Sequence, residues 1–398
     1  QMCIRDRLLE EALGDIPRAE DLHQPASKSR VDGPFHWIPR YNHTSWKEAQ
    51  RMSMSMARTT KPPGASAAPP MSSTPSAADG EPVLALRDSL LLSQRSSTIA
   101  RQMGMIEREL MAGIDWSELS EPSWDQHTVR QEQWQLEYQD YVMFRIRQTM
   151  NDEPSEGQKD ALRQTIHGRG IHMLIARFNR TCAWVASHIV RSNNIQERVA
   201  IVNKFIRIAW HCYRQGNMES LCQIMFGLQS PWIARLQQTW EQVSLWELRA
   251  FEALRRFTSP REQFAFLRYS MREAIETNIP SRRFSPLTTS SSPYVPFFGQ
   301  FVSDLSAIDS LASFVDASGM PNTMPLYDDQ ELSLSWDALV NVYRLRIKSH
   351  IVREFITLQR CQRQAPAPPM ELPILIEVLQ LDTLSAMAIQ STSLALEP

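Results

Sequence analysis

The 398-residue sequence has only 13 glycines, and its 25 prolines gather in a few places. Long segments run without a breaker, which favours helices. No GxxxxGKS/T loop is present, so the chain does not itself read as a P-loop NTPase. Cysteine is scarce and odd in number: Cys3, Cys182, Cys212, Cys222 and Cys361. None has CxxC spacing and three lie inside apolar helical patterns, so they read as reduced, buried thiols rather than a disulfide framework or zinc site. The formal net charge is only −2, which argues against nucleic acid as a partner. No apolar run approaches roughly 18 residues and no secretory leader is visible, so no membrane span is expected. HExxH and GxSxG are absent. The nine histidines are scattered; His211 and His350 sit beside basic residues and read as parts of solvated faces. Paired carboxylates do not stand out. Side-chain acid–base catalysis, a metal and a cofactor therefore have no support in the sequence.

What is there is apolar and periodic. With 42% hydrophobic and 22% charged residues, most of the chain is expected to fold, as an all-α architecture. Residues 1–50 form an unassigned segment, with a short helix expected over Ile4–Leu13. The opening QMCIRDR resembles sequencing-adapter read-through, so the true start is expected upstream. Residues 51–95 are a Pro/Ser/Ala-rich linker and lead-in, unstructured over 53–80, because that composition cannot offset its ordering entropy. Residues 96–398 form the folded domain. Its helices follow Ile99–Ile114, Trp134–Phe144, Leu174–Ile189, Val199–Cys212 and Leu221–Leu228. Ser230-Pro231 marks a helix start, and SPRE at 259–262 reads as a capping box.

One stretch organises the rest. SPYVPFFGQFVSDLSAIDSLASF, residues 292–314, places Phe301, Val302, Leu305, Ile308 and Leu311 at steps of three and four. This predicts an amphipathic helix of roughly five turns over Phe297–Phe314. Its other face carries Gln300, Ser303, Asp304, Ser306, Ala307, Asp309 and Ser310. That face is small and acidic, without Lys or Arg. A second long helix is expected over Leu334–Gln359.

Several blocks resemble the Ras-family guanine-nucleotide exchange factors. FNRTCAWV at 178–185 is similar to their FNxxSxWV, and RVAIVNKFIRIA at 198–209 to RxxxIxKFIxIA. GNMESL and GLQSP, with Arg235-Leu236 and TWE at 239–241, are similar to NFNSLxxIxxGLNSxxxxRLxxTWE. PFFG at 296–299 with Ser303-Asp304-Leu305 is similar to PFLGxxLxDL. VREF at 352–355 and the closing LALEP resemble the family's tail. The similarity runs over about residues 98–398, in the family's order.

The resemblance implies an all-α bowl with a protruding antiparallel helical hairpin, built here from the two long helices. It implies release of GDP from a Ras-family small GTPase, without covalent chemistry or a cofactor, and tightest binding to the nucleotide-free partner. It assigns the wedge to Ser303, Ser306, Asp309 and Ser310, and GTPase contacts to Arg198, Gln229, Phe264 and Phe297. Arg198 is expected to be an exposed charge whose reversal leaves stability unchanged. Trp184, Phe205, Leu228, Trp240 and Leu305 are expected in the core. The implied location is cytoplasmic, with recruitment to the inner face of the plasma membrane through partners. Gln229, Phe226 and Phe264 depart from the family pattern, and only one acid, Asp309, stands near the end of the hairpin helix where the family has two. That loss favours an alternative: a catalytically weak scaffold that binds a GTPase without accelerating release.

Overall fold

Apolar residues recurring every three or four positions give each helix one buried stripe, and the chain packs those stripes on one another. The computed structural model describes residues 90–120, 129–150, 157, 166, 168–277, 294–316, 318–320, 339–364 and 368–397. In chain order the helices are α1 (Leu90–Ser93), α2 (Ser96–Gly113), α3 (Trp116–Ser120), α4 (Val129–Met150), α5 (Gly170–Arg191), α6 (Ile195–Arg214) and α7 (Met218–Leu228). Then come α8 (Pro231–Ala234), α9 (Gln237–Glu241), α10 (Leu245–Phe257), α11 (Ala265–Thr277) and α12 (Phe298–Asp309). The last are α13 (Val342–Gln364), α14 (Leu372–Gln380) and α15 (Ala386–Leu396). The all-α expectation holds apart from two short strands. These are β1 (Phe314–Val315) and β2 (Leu339–Val340), antiparallel, with Phe314 paired to Val340.

The centre is α5, which packs on α4 and α7, while α6 packs on α2 and α7. Leu174, Phe178, Cys182, Val185 and Ile189 of α5 are all buried. Gly227 lets α7 approach this closely. A Cβ there would lie 2.9 Å from the Cys182 carbonyl oxygen and 2.9 Å from Val185 Cβ. Asn194 and Asn217 cap α6 and α7, accepting from Gln196 N at 2.9 Å and Ser220 N at 3.0 Å. Each such cap contributes about 1 kcal/mol. Trp184, Phe205, Leu228, Trp240 and Leu305 are buried, as their stripes require. Cys182, Cys212 and Cys222 are buried free thiols, and burial pushes all three up, which keeps them protonated. No helix among the described residues is long and apolar enough to cross a membrane.

Three local expectations are corrected. The segment SPRE does not open a helix directly. A 3-10 turn spans Arg261–Gln263, Gln263 and Phe264 take left-handed φ of 56° and 62°, and α11 starts at Ala265. Non-glycine residues in that region cost on the order of 1–3 kcal/mol each, offset here by burying the Phe264 ring. The organising helix is shorter than its apolar period suggests. It ends at Asp309, and the chain extends into β1, because Leu311 and Phe314 have no surface to pack on and stay exposed. The second long helix starts later and ends later, with β2 ahead of it. Leu339, Val342 and Tyr343 of its expected stripe are exposed, whereas Ile351, Phe355 and Leu358 are buried. The expectations for residues 1–89 and for the loop at 281–293 lie outside the described residues.

Candidate functional site

Helices α12 and α13 run antiparallel. At the start of α12, the rings of Phe298 and Phe301 lie 5.7 and 5.3 Å from that of Phe355, midway along α13. At the end of α12, Asp309 meets Arg344 and Lys348 in the first two turns of α13. The β1–β2 pair continues the contact outward, and Asn341 Nδ2 donates to the Ala312 carbonyl at 2.9 Å. The pair is thus packed at its foot by aromatic rings and laced at its outer end by polar contacts.

The outward face of α12 is small and uncharged. Ser303 and Ser306 are half-buried, Ala307 and Ser310 exposed, and the Ser310 hydroxyl donates to the Ala307 carbonyl at 2.7 Å. Asp309 does not offer free negative charge there, which corrects the sequence reading. Its carboxylate accepts from Arg344 at 2.7 Å and from Lys348 at 2.7 and 2.9 Å. Lys348 also donates to the carbonyl of Ser120, closing α13 onto α3. Asp304 is paired as well, in a two-pronged contact with Arg268 of α11 at 2.6 Å on each arm. The face lacks cations of its own, but neighbouring helices supply them. Asp309→Lys is therefore expected to collect three cations and open the outer end, at a cost of about 1.5–3 kcal/mol. Faster backbone hydrogen exchange at the end of α12 would report it; unchanged exchange would mean that these pairs hold nothing.

Three of the four expected GTPase contacts, Arg198, Phe264 and Phe297, are buried in the chain. Phe297 precedes α12, is 1% exposed, and joins a cluster with Phe178, Phe226 and Phe264, their rings 5.2–6.4 Å apart. Phe264 and Phe297 thus line an aromatic socket beneath α12. Phe226, larger than the family pattern expects, fills the same socket. Arg198 is 3% exposed. Its guanidinium donates to Thr239 Oγ1 at 2.8 Å and to the Ser192 carbonyl at 2.9 Å, and lies 3.6 Å from the Glu397 carboxylate. Gln229 is half-buried at the end of α7, its amide donating to the Met225 carbonyl at 2.9 Å. Of the eight expected site residues, the structure brings Ser303, Ser306 and Asp309 together on α12 with Ser310 at its C-cap, and sets the others below or away from it.

Sequence reasoning missed the partners: Arg268, Arg344, Lys348 and Glu219. Arg344 and Lys348 stand four apart on one helix, a legible spacing. Glu219 carried no signal of its own, since its contact is to a backbone amide far along the chain.

The profile of the RasGEF domain family matches residues 98–346, which takes in the helical body, α12 and the start of α13. Named relatives agree. The chain is 26% identical to the Guanine nucleotide exchange factor LTE1 of Kluyveromyces lactis over 216 residues, 54% of this chain and 13% of that protein. It is 36% identical to human Rap guanine nucleotide exchange factor 5 over 94 residues, 24% of this chain and 16% of that protein. It is 27% identical to mouse Ras-specific guanine nucleotide-releasing factor 1 over 222 residues, 56% of this chain and 15% of that protein. The matched region is a small part of each of these relatives. The family match spans more than half of this chain, across the helices that build the core and across α12. The chain belongs to the RasGEF domain family.

Proposed function

We propose that this chain is a guanine-nucleotide exchange factor for a Ras-family small GTPase, and that α12 is the element that opens the nucleotide site. One observation carries the reading: the family match runs through α12, whose buried stripe is anchored while its outward face is small and uncharged. Exchange needs no bond chemistry. The exchanger must bind the nucleotide-free GTPase better than the loaded one, and linkage makes nucleotide weaken exchanger binding by the same factor. A narrow face of Ser303, Ser306, Ala307 and Ser310 suits insertion beside a bound phosphate. Gln229 is the remaining contact candidate. In this reading the protein works in the cytoplasm and reaches the inner face of the plasma membrane through partners.

A second reading has an observation behind it. Both acids of α12, Asp304 and Asp309, are neutralised within the chain. A wedge without free carboxylate competes less with phosphate, which favours a scaffold that binds a GTPase and releases little. Fluorescent-GDP release from a panel of Ras, Rap, Ral and Rho proteins separates the two. We expect release accelerated by at least about tenfold for one panel member, roughly 1.4 kcal/mol off the barrier. The complex should be tightest without nucleotide and should dissociate on adding GDP with Mg²⁺. A stable complex indifferent to nucleotide, without acceleration, would instead establish the scaffold.

A further inference from the structure

The foot of α12 is held by a carboxyl group from another helix. Phe298 is the first residue of α12, and its N-cap, Phe297, has no polar side chain to satisfy the helix's free amides. Glu219, in the first turn of α7, does so instead: its Oε2 accepts from Phe298 N at 2.7 Å. Glu219 and Phe298 are both fully buried.

The rest of the network is also buried. Gln223 Nε2 lies 3.4 Å from Glu219 Oε1 and 3.1 Å from Glu107 Oε1, so one amide spans both carboxyl groups. Glu107 accepts from Arg177 at 2.7 Å, and Arg177 also donates to Tyr138 Oη at 2.7 Å and to the Val378 carbonyl at 2.8 Å. Two buried carboxyl groups thus face one guanidinium. Burial, and then the charge of Glu107, pushes the Glu219 carboxyl well above the usual carboxylate range. Glu107 Oε2 and Gln223 Oε1 are buried acceptors with no hydrogen-bond partner among the described residues. A proton on Glu219 is the kind of donor those acceptors lack. A neutral carboxyl still has a carbonyl oxygen for the Phe298 amide.

We propose that Glu219 is a positioning residue for nucleotide exchange: by capping α12 from α7, it fixes how the α12–α13 pair stands on the helical body. This rests on the exchange reading above. Glu219 does not reach the outward face, so its effect on a GTPase passes through the placement of Ser303, Ser306 and Ser310.

The test compares Glu219→Gln, Glu219→Asp and Glu219→Ala in the full chain. Two readouts are taken: GDP release from the responding GTPase, and backbone deuterium uptake of residues 298–309. Glutamine keeps the carbonyl at the same reach and carries no charge; it should stay within about twofold of the unaltered chain in both readouts, under about 0.4 kcal/mol. Aspartate is polar but one methylene short of the amide. It should lower the maximal release rate by about tenfold with little change in the GTPase concentration at half-maximal rate. Uptake across 298–309 should rise in the aspartate and alanine variants while α5 and α6 stay protected. A lower maximal rate at an unchanged half-maximal concentration, with uptake raised at 298–309 alone, is a pattern that general loss of stability would not produce. Normal release and normal uptake in the aspartate and alanine variants would overturn the proposal. So would a glutamine variant as impaired as alanine, with uptake raised throughout α5–α7. Should the unaltered chain release nucleotide from no GTPase, the exchange reading falls separately, and the uptake at 298–309 still decides whether Glu219 holds the foot of α12.

Discussion

Replacing Arg198 by glutamate should destabilise the domain by at least about 3–5 kcal/mol, because it removes one partner of a buried charge pair. Arg198 sits in the first turn of α6, with 4% of its side chain exposed against 7% for Glu397. Glu397 also accepts from the Gln238 and Thr239 amides at 3.0 and 3.2 Å and from Thr239 Oγ1 at 2.8 Å. It therefore closes the start of α9 and ties the chain's last turn to α6. A glutamate at 198 would leave two carboxylates in a site that water does not reach, and Thr239 and the Ser192 carbonyl would lose their donor. A domain of this kind holds on the order of 5–15 kcal/mol in total, so the loss is a large share of it. Urea unfolding of Arg198→Glu and Glu397→Gln checks this: the first should shift its midpoint strongly, the second less, since a neutral amide can still accept. An Arg198→Glu protein with an unchanged midpoint and slow GDP release would instead return Arg198 to the GTPase-facing surface.

This reversal locates what the sequence could and could not disclose. Period gave the helices, since a stripe such as Leu174, Phe178, Cys182, Val185 and Ile189 has one packing solution. It also separated Leu305 from Ser306 on α12. Period does not say which polar side chains are buried. Arg198 lies off its own apolar stripe and reads as exposed, yet Thr239 and Glu397, about 40 and 200 residues on, cover it. The burial of Phe264 and Phe297 was hidden in the same way: both lie just ahead of a helix, and only the three-dimensional meeting of four chain segments makes them part of a cluster. The two strands escaped notice because Leu339-Val340 continues the helical apolar pattern into α13. There, antiparallel pairing with β1 sets the local conformation against the helical pattern. The pairing of Asp309 was half legible, as Arg344 and Lys348 share one face of α13. Their target was not, since it needs the relative placement of two helices about 30 residues apart in the chain.

Ser306→Trp should slow GDP release by at least about a hundredfold, roughly 2.7 kcal/mol on the barrier, while leaving the fold intact. Ser306 is half-buried and lies beside Leu305, which points the other way, into the core at 1% exposure. An indole at 306 widens a face whose other members are Ser303, Ala307 and Ser310. None of those can retract to make room at a phosphate site, whereas the buried stripe of Phe298, Phe301, Val302 and Leu305 is untouched. Ser306→Ala keeps the face narrow and should release GDP within about twofold of the unaltered chain, under about 0.4 kcal/mol. Leu305→Ala should behave in the opposite way. It leaves the outward face unchanged but opens a cavity under α12, costing about 2–5 kcal/mol of stability. Melting curves and GDP release measured on all three variants separate the roles: folded and slow for tryptophan, folded and normal for alanine at 306, destabilised for alanine at 305. Release at the normal rate by a fully folded Ser306→Trp protein would mean that this face does not enter the nucleotide site, and α12 would then be only a structural helix with a solvated side.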